Sequence, residues 1–274
     1  MAARRVWTAA AIASILLPAG AAPAVAEPLA PLKSWVLDYA ENQCNASRTY
    51  GAANDPIGFA LRPAPNGETY ELLVGRQHHG PRYAEELKGT VDFGHGPLKA
   101  WLLHYGGKGK RIDVYAYRIS AAEMAQARSA SAVLLTAKEA QSVSFRLDHM
   151  GQLLSGLDKC TEDLKHYWNM GEELTGKIAV PSKGDVRTVF SDEDYPSEAL
   201  MQGKEGSGRF LLLIDEKGSV AGCHVQVPSG VPILDAMGCQ VIRERAKFKP
   251  ALDAQGHPVR SSYFTPPINW RLAS

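Results

Sequence analysis

The most constraining stretch of the chain is its last third, where the order of elements leaves few folds open. After Tyr195-Pro196, the helix-forming run Ser197-Glu198-Ala199-Leu200 proceeds toward Gly203. Gly206 and Gly208 introduce the apolar strand Arg209–Ile214. Asp215-Glu216-Lys217-Gly218 supplies turn residues and Val220–Val227 returns, so the pair reads as a β-hairpin. Pro232 suits the first turn of a helix, and Ile233, Leu234, Met237, Val241 and Ile242 give that helix an apolar stripe to about Ala246. A turn at Asp253-Ala254-Gln255-Gly256 then leads to a last strand over 259–272. These elements bury their apolar sides as a three-stranded antiparallel sheet packed against two helices. Residues 194–273 are expected to form that domain.

The first residues constrain the rest through chemistry. Arg4 and Arg5 precede an apolar run from Val6 to Leu17, and small residues lead to Ala24-Val25-Ala26 before Glu27-Pro28. That is the anatomy of a secretory signal peptide, residues 1–26, cleaved after Ala26. The run is shorter than the ~20 apolar residues of a membrane span, and Pro18 and Pro23 interrupt it. A periplasmic location follows, with membrane contact only if the segment is retained. Export to an oxidising compartment makes Cys44, Cys160, Cys223 and Cys239 read as disulfides rather than as metal ligands or a nucleophile. Three pairings are open. Proximity and the domain boundary favour Cys223–Cys239 and Cys44–Cys160. No C-x-x-C pair or zinc-finger spacing exists. The chain has 30 basic and 29 acidic side chains, net +1, and losing the two leader arginines takes that to −1. No field of one sign recommends nucleic acid as a partner.

Residues 33–180 read as an N-terminal mixed strand/helix domain, which makes the whole chain α+β. Short strands are expected at Trp35–Leu37, Ile57–Leu61, Tyr70–Val74, Ile112–Tyr117 and Val143–Leu147. Ser120 and Glu123 form a capping-box pair for a helix from Ala121 to Arg128. Met150, Leu153, Leu154, Leu157, Leu164 and Tyr167 recur at helical spacing, predicting a helix over 149–168 that carries Cys160. Trp35, Trp101 and Trp168 read as core anchors. Residues 169–192, with Gly171, Gly176, Pro181 and Gly184, read as the connection between domains.

The C-terminal series resembles the C-terminal domain of TonB-like energy transducers. The matching pieces are Tyr195-Pro196, Ala199-Leu200, Gly206-Ser207-Gly208, Asp215 through Val220, Pro228-Ser229-Gly230, Leu234-Asp235, Phe248-Lys249-Pro250-Ala251, Gly256-His257-Pro258-Val259 and Pro267 through Leu272, in order and at family spacing. The resemblance implies a protein partner, a segment of an outer-membrane receptor, that adds as a strand to the sheet's edge. Carried over, the edge is Ser261, Ser262, Tyr263, Phe264, Thr265, Ile268, Asn269 and Trp270, with Tyr263 and Phe264 adding apolar contacts. Pro266 and Pro267 limit how far pairing extends. Family transducers keep an N-terminal membrane helix and a long Pro-rich spacer. This chain has a leader-like segment and a folded domain instead, two departures from the layout of an energy transducer. Residues 33–168 are more distantly similar to exported domains attached to such tails.

The chemistry-bearing residue types give no motif for catalysis, metal or cofactor. His78-His79 beside Gly80-Pro81 reads as an exposed loop pair. Gly106-Gly107-Lys108-Gly109-Lys110 lacks Walker spacing and reads as a hairpin turn. Ser229 reads as a helix cap, and His224, facing away from Cys223, as a surface histidine. Arg243, Arg245, Lys247 and Lys249 suit a helix C-terminus. Two other functions fit the same sequence: a scaffold that dimerises through its edge strands, and an enzyme in residues 33–168 with a targeting tail.

Overall fold

The computed structural model describes residues 27–78, 85–106, 111–138, 142–171 and 177–272. The expected leader lies outside them, as do His79, the loop residues 107–110 and Gly176.

Nine antiparallel strands form the first sheet. They are β1 (Val36–Ala40), β2 (Gln43–Ala52), β3 (Asp55–Pro63), β4 (Thr69–Arg76), β5 (Glu85–Asp92), β6 (Leu98–Gly106), β7 (Asp113–Ser120), β8 (Ala132–Ala137) and β9 (Val143–Arg146). The spatial order is β1-β2-β3-β4-β7-β6-β5-β8-β9. Its far ends are joined by one extended segment. Leu29 bridges Phe145 on β9, and Pro31 bridges Tyr50 on β2. The Leu29 amide donates to the Ser144 carbonyl and the Leu32 amide to the Thr49 carbonyl, each at 2.8 Å. The sheet thus closes on itself through residues 29–32, which removes an open edge.

Alternation decides what goes inside. On β4, Tyr70, Leu72 and Val74 are buried while Glu71 and Leu73 point outward. Tyr50, Phe59, Leu61, Leu72, Leu102, Leu135 and Phe145 fill the centre, all essentially without solvent contact. The Ser120–Glu123 capping box starts α1 (Ala121–Met124), which tightens into a 3-10 turn over Ala125–Ser129. The long helix α2 (Met150–Tyr167) lays Met150, Leu153, Leu154, Leu157 and Leu164 on the same core. Cys160 of α2 is bonded to Cys44 of β2. Trp168 is buried, with its indole N–H donating to the Glu41 carbonyl at 2.7 Å. Trp101 is not a core anchor; it lies on the outward face beneath the Arg118 guanidinium, 4.8 Å from its ring centroid.

The C-terminal part runs α3 (Ser197–Met201), β10 (Gly206–Ile214), β11 (Val220–Val227), α4 (Pro232–Arg245), β12 (Ala251–Leu252), β13 (Pro258–Val259), β14 (Ser261–Phe264) and β15 (Ile268–Trp270). Its main sheet has four strands rather than the expected three. The last strand is broken: β14 pairs Leu211–Ile214 of β10, and β15 pairs Gly206–Gly208. Pro266 and Pro267 have no amide hydrogen to continue the ladder. Thr265 fills the gap, its amide donating to the Phe210 carbonyl and its hydroxyl oxygen accepting from the Phe210 amide, both at 2.9 Å.

Strand β10 separates two cores. Phe210, Leu212 and Ile214 face Leu234 and Ile242 of α4, and Cys223 of β11 is bonded to Cys239 of α4. Leu211 and Leu213, on the opposite face, join the core of the first sheet. The C-terminal sheet is therefore covered on both faces. Residues 169–192 are also more than a tether. Val180 bridges Leu252, Lys183 bridges Lys249, and Val186 is fully buried in the second core. Among the described residues no helix is long and apolar enough to cross a membrane.

Candidate functional site

A strand edge is a site because its outward amides and carbonyls need partners. The C-terminal sheet has two such edges. On one, β11 lies against the nine-stranded unit: Asn42 donates to the Ala221 carbonyl at 3.3 Å and Arg118 to the Val225 carbonyl at 3.1 Å. Asn66 donates to the side-chain oxygen of Gln226 at 3.2 Å, and Gln226 in turn donates to Glu68. The other edge is β14 and β15, whose only strand neighbour among the described residues is β10.

The eight residues expected at that edge do not all face outward. Ser261, Thr265, Ile268 and Trp270 are buried, Ser262 and Tyr263 are half-buried, and Phe264 and Asn269 are exposed. Tyr263 packs edge-on to Phe248 at 5.0 Å, and its hydroxyl donates to the Gly184 carbonyl at 3.4 Å, so its ring belongs to the second core. Phe264 lies outward beneath Arg209, whose guanidinium carbon is 4.0 Å from the ring centroid. Arg209 also donates to the Thr265 carbonyl at 3.1 Å, which fixes the turn between the two short strands. Trp270 stacks edge-on with Phe190 at 5.4 Å and Tyr195 at 5.6 Å. These rings line a depression of about 320 Å³ beside β15, rimmed by Arg187, Asp192 and Arg271.

The start of this domain is fixed by an ion pair. Arg245, at the end of α4, donates through both terminal nitrogens to Asp194 at 2.7 Å. That pairing holds the Asp194 carboxyl below the usual carboxylate range, with help from the Ser191 amide and hydroxyl. Arg245 thus has a structural role, as a basic helix end suggests. Ser229 behaves as a turn residue: its hydroxyl accepts from the Val231 amide, and its amide donates to both oxygens of Asp235 at 3.0 and 3.1 Å.

The histidines divide differently from their sequence reading. His104 stacks on Tyr115 at 4.1 Å, with Nε2 2.6 Å from Asp113 and Nδ1 3.8 Å from Glu85. Among the described residues no group of three or more His, Cys, Asp or Glu side chains is arranged to hold a metal ion. His224 is not a surface residue. It shares the face of Leu211 that turns toward the first sheet, its Nε2 has no solvent contact, and burial pushes the imidazole down to about 4. Facing it across a cleft are Arg62, Glu71 and Arg118, direct cross-strand neighbours on β3, β4 and β7. No sequence signal marks this set, because only the strand register brings those three residues together.

Residues 192–272 match the family model described as Gram-negative bacterial TonB protein C-terminal, so the chain carries a domain of that family at its C-terminal end. No curated protein and no solved structure matches the chain.

Proposed function

We propose that this is a periplasmic adaptor whose TonB-like domain takes up an extended segment of an envelope protein, such as an outer-membrane receptor, along β14 and β15. The observation that carries this reading is the asymmetry of the sheet. Its β11 edge and both faces are occupied by the rest of the chain, and the β14–β15 edge has no strand beside it among the described residues. Strand addition draws on main-chain hydrogen bonds, which suits an edge with few outward side chains. The signal-like leader and the four cysteines support an exported protein. The first domain stands where a transducer would have its spacer, which favours an adaptor over a motor-coupled transducer.

The test is amide hydrogen exchange with synthetic peptides covering the periplasm-facing segments of the same cell's outer-membrane receptors. Slowed exchange confined to 261–264 and 268–270, lost in Ser262→Pro, is the expected result. Protection elsewhere, or protection that the proline leaves intact, overturns the reading. Concentration-dependent protection without peptide would instead assign the edge to a second copy of the chain.

A further inference from the structure

We infer that the cleft between the nine-stranded unit and the TonB-like sheet is a binding site for a small multivalent oxyanion of the carboxylate or phosphate class. The cleft encloses about 270 Å³, below the usual range of pockets for drug-sized ligands but ample for a compact anion. One wall is the outward row Arg62, Glu71 and Arg118; the other is His224 of β11 and Arg243 of α4. Asn42 adds a donor at the rim.

The charges do not balance. Glu71 accepts from Arg118 at 2.7 Å and lies 3.8 Å from Arg62, so one carboxylate serves two guanidinium groups. Arg243 is exposed and makes no ion pair among the described residues. Three guanidinium groups against one carboxylate leave an excess of two positive charges in the lining. Two nitrogens of the lining are unpaired as well. Arg62 Nε and His224 Nε2 are both shielded from solvent and have no hydrogen-bond partner among the described residues. Buried polar atoms in native proteins are mostly paired, so two orphans in one cleft point to an occupant. Guanidinium forks match the geometry of carboxylate and phosphate oxygens, and charge-assisted bonds of that type are stronger than neutral ones.

The location gives the site a consequence. Arg62 and Arg118 belong to the first sheet, whereas His224 and Arg243 belong to the TonB-like domain. An anion held by both walls would clamp the two parts together, and its binding would stabilise the joined state over any in which they separate. This inference does not depend on strand addition at β14–β15, which lies on the opposite edge of the sheet.

The test is isothermal titration of the full chain with citrate and, separately, with inorganic phosphate, against chloride at matched ionic strength. One site per chain is expected for at least one probe. Arg243→Gln and Arg62→Gln should each weaken it by about tenfold, as the loss of a charge-assisted hydrogen bond implies. Arg243 has no hydrogen-bond or ion-pair partner among the described residues, so its variant keeps the test independent of folding. Binding of citrate alone assigns the carboxylate class, and of phosphate alone the phosphate class. Binding of both assigns a general oxyanion site. No binding of either probe at millimolar concentration, or binding indifferent to both substitutions, overturns the inference.

Discussion

His224 and Asp235 are buried groups whose pH dependences oppose one another, so replacing either alone should uncover the other. Burial lowers the His224 imidazole from 6.5 to about 4; Glu71 acts against the shift, and Arg62, Arg118 and Arg243 add to it. Burial raises the Asp235 carboxyl from 3.8 to about 6; Ser229 and Arg118 act against that shift, and Glu86 adds to it. Between pH 6.5 and 4 the unfolded chain binds a proton at His224 that the folded chain refuses, so this group's stability contribution is lost as pH falls. Between pH 3.8 and 6 the folded chain holds a proton at Asp235 that the unfolded chain has released, so that contribution is lost as pH rises. At about 1.4 kcal/mol per pKa unit, each amounts to roughly 3 kcal/mol across its window.

The two windows overlap almost completely, and in the wild type they should nearly cancel from about pH 4 to 6. The other shifted carboxyls, Asp148, Asp185, Asp194, Glu205 and Asp253, are all held below their ordinary range by hydrogen bonds, so their contribution is lost toward the acid end of the range and is common to all three proteins. Urea denaturation of wild type, His224→Gln and Asp235→Asn across about pH 4 to 7.5 separates the contributions. The wild type should be nearly flat. His224→Gln should lose roughly 3 kcal/mol as pH rises, and Asp235→Asn should gain a similar amount over the same range. Three parallel profiles would refute the reasoning, since they would mean that neither group is buried as the structure has it.

Replacing Cys223 and Cys239 by serine should cost about 3 kcal/mol, and breaking Cys44–Cys160 about 4 to 5, because the loops they close span 16 and 116 residues; chemical denaturation of the variants measures both. Gly218→Ala should destabilise by at least ~2 kcal/mol in thermal melts, since φ there is +78° and an added Cβ would sit 1.9 Å from the Phe248 carbonyl oxygen. Leu213→Ala should cost about 2–5 kcal/mol and expose the joint between the two sheets to limited proteolysis near residues 169–192, whereas an exposed side chain would cost almost nothing.

What sequence reveals here follows from the range of the interactions. Helix α2 is legible to within a residue because its apolar stripe and its boundaries are local properties of 149–168. The Ser120–Glu123 box and the β10–β11 hairpin are local too, as is α4 with Pro232 in its first turn. Strands β2 and β5 are not legible. Strand β2 buries small residues, Cys44 and Ala46, before reaching Tyr50, and β5 buries only Val91 among charged and polar neighbours. Their burial comes from neighbours outside each strand, residues 29–32 against β2 and strands β6 and β8 on either side of β5, and no periodicity encodes it. The break at Thr265 is half legible: the prolines forbid pairing, but the two hydrogen bonds between Thr265 and Phe210 depend on a strand 55 residues away. The alternation of β11 correctly turns His224 away from Cys223, but not toward solvent, because what covers that face comes from β3, β4 and β7.

The same long-range packing sets how strongly the proposed edge can hold a segment. Strand β14 offers four residues and β15 three, with Pro266 and Pro267 between them. About half of their main-chain N–H and C=O groups face outward, so on the order of seven hydrogen bonds are available at ~1 kcal/mol each. Set against the several kcal/mol that association and ordering of the segment cost, that leaves roughly millimolar affinity or weaker from the backbone alone. A segment that binds more tightly has to draw the rest from side chains. The exposed neighbours of the edge are few, and Phe264 is already engaged by Arg209. The depression formed by Phe190, Tyr195 and Trp270 beside β15 is then the place where a partner's side chain can add burial; the arginines at its rim, Arg187 and Arg271, are already paired with Asp185 and Glu205. Fully burying one large apolar side chain contributes about 1.5–3 kcal/mol, enough to move the affinity by one to two orders of magnitude. Segments matched in length but differing in one aromatic residue opposite β15 should therefore separate by about that factor in titration. Equal affinities would place the binding energy somewhere other than this edge.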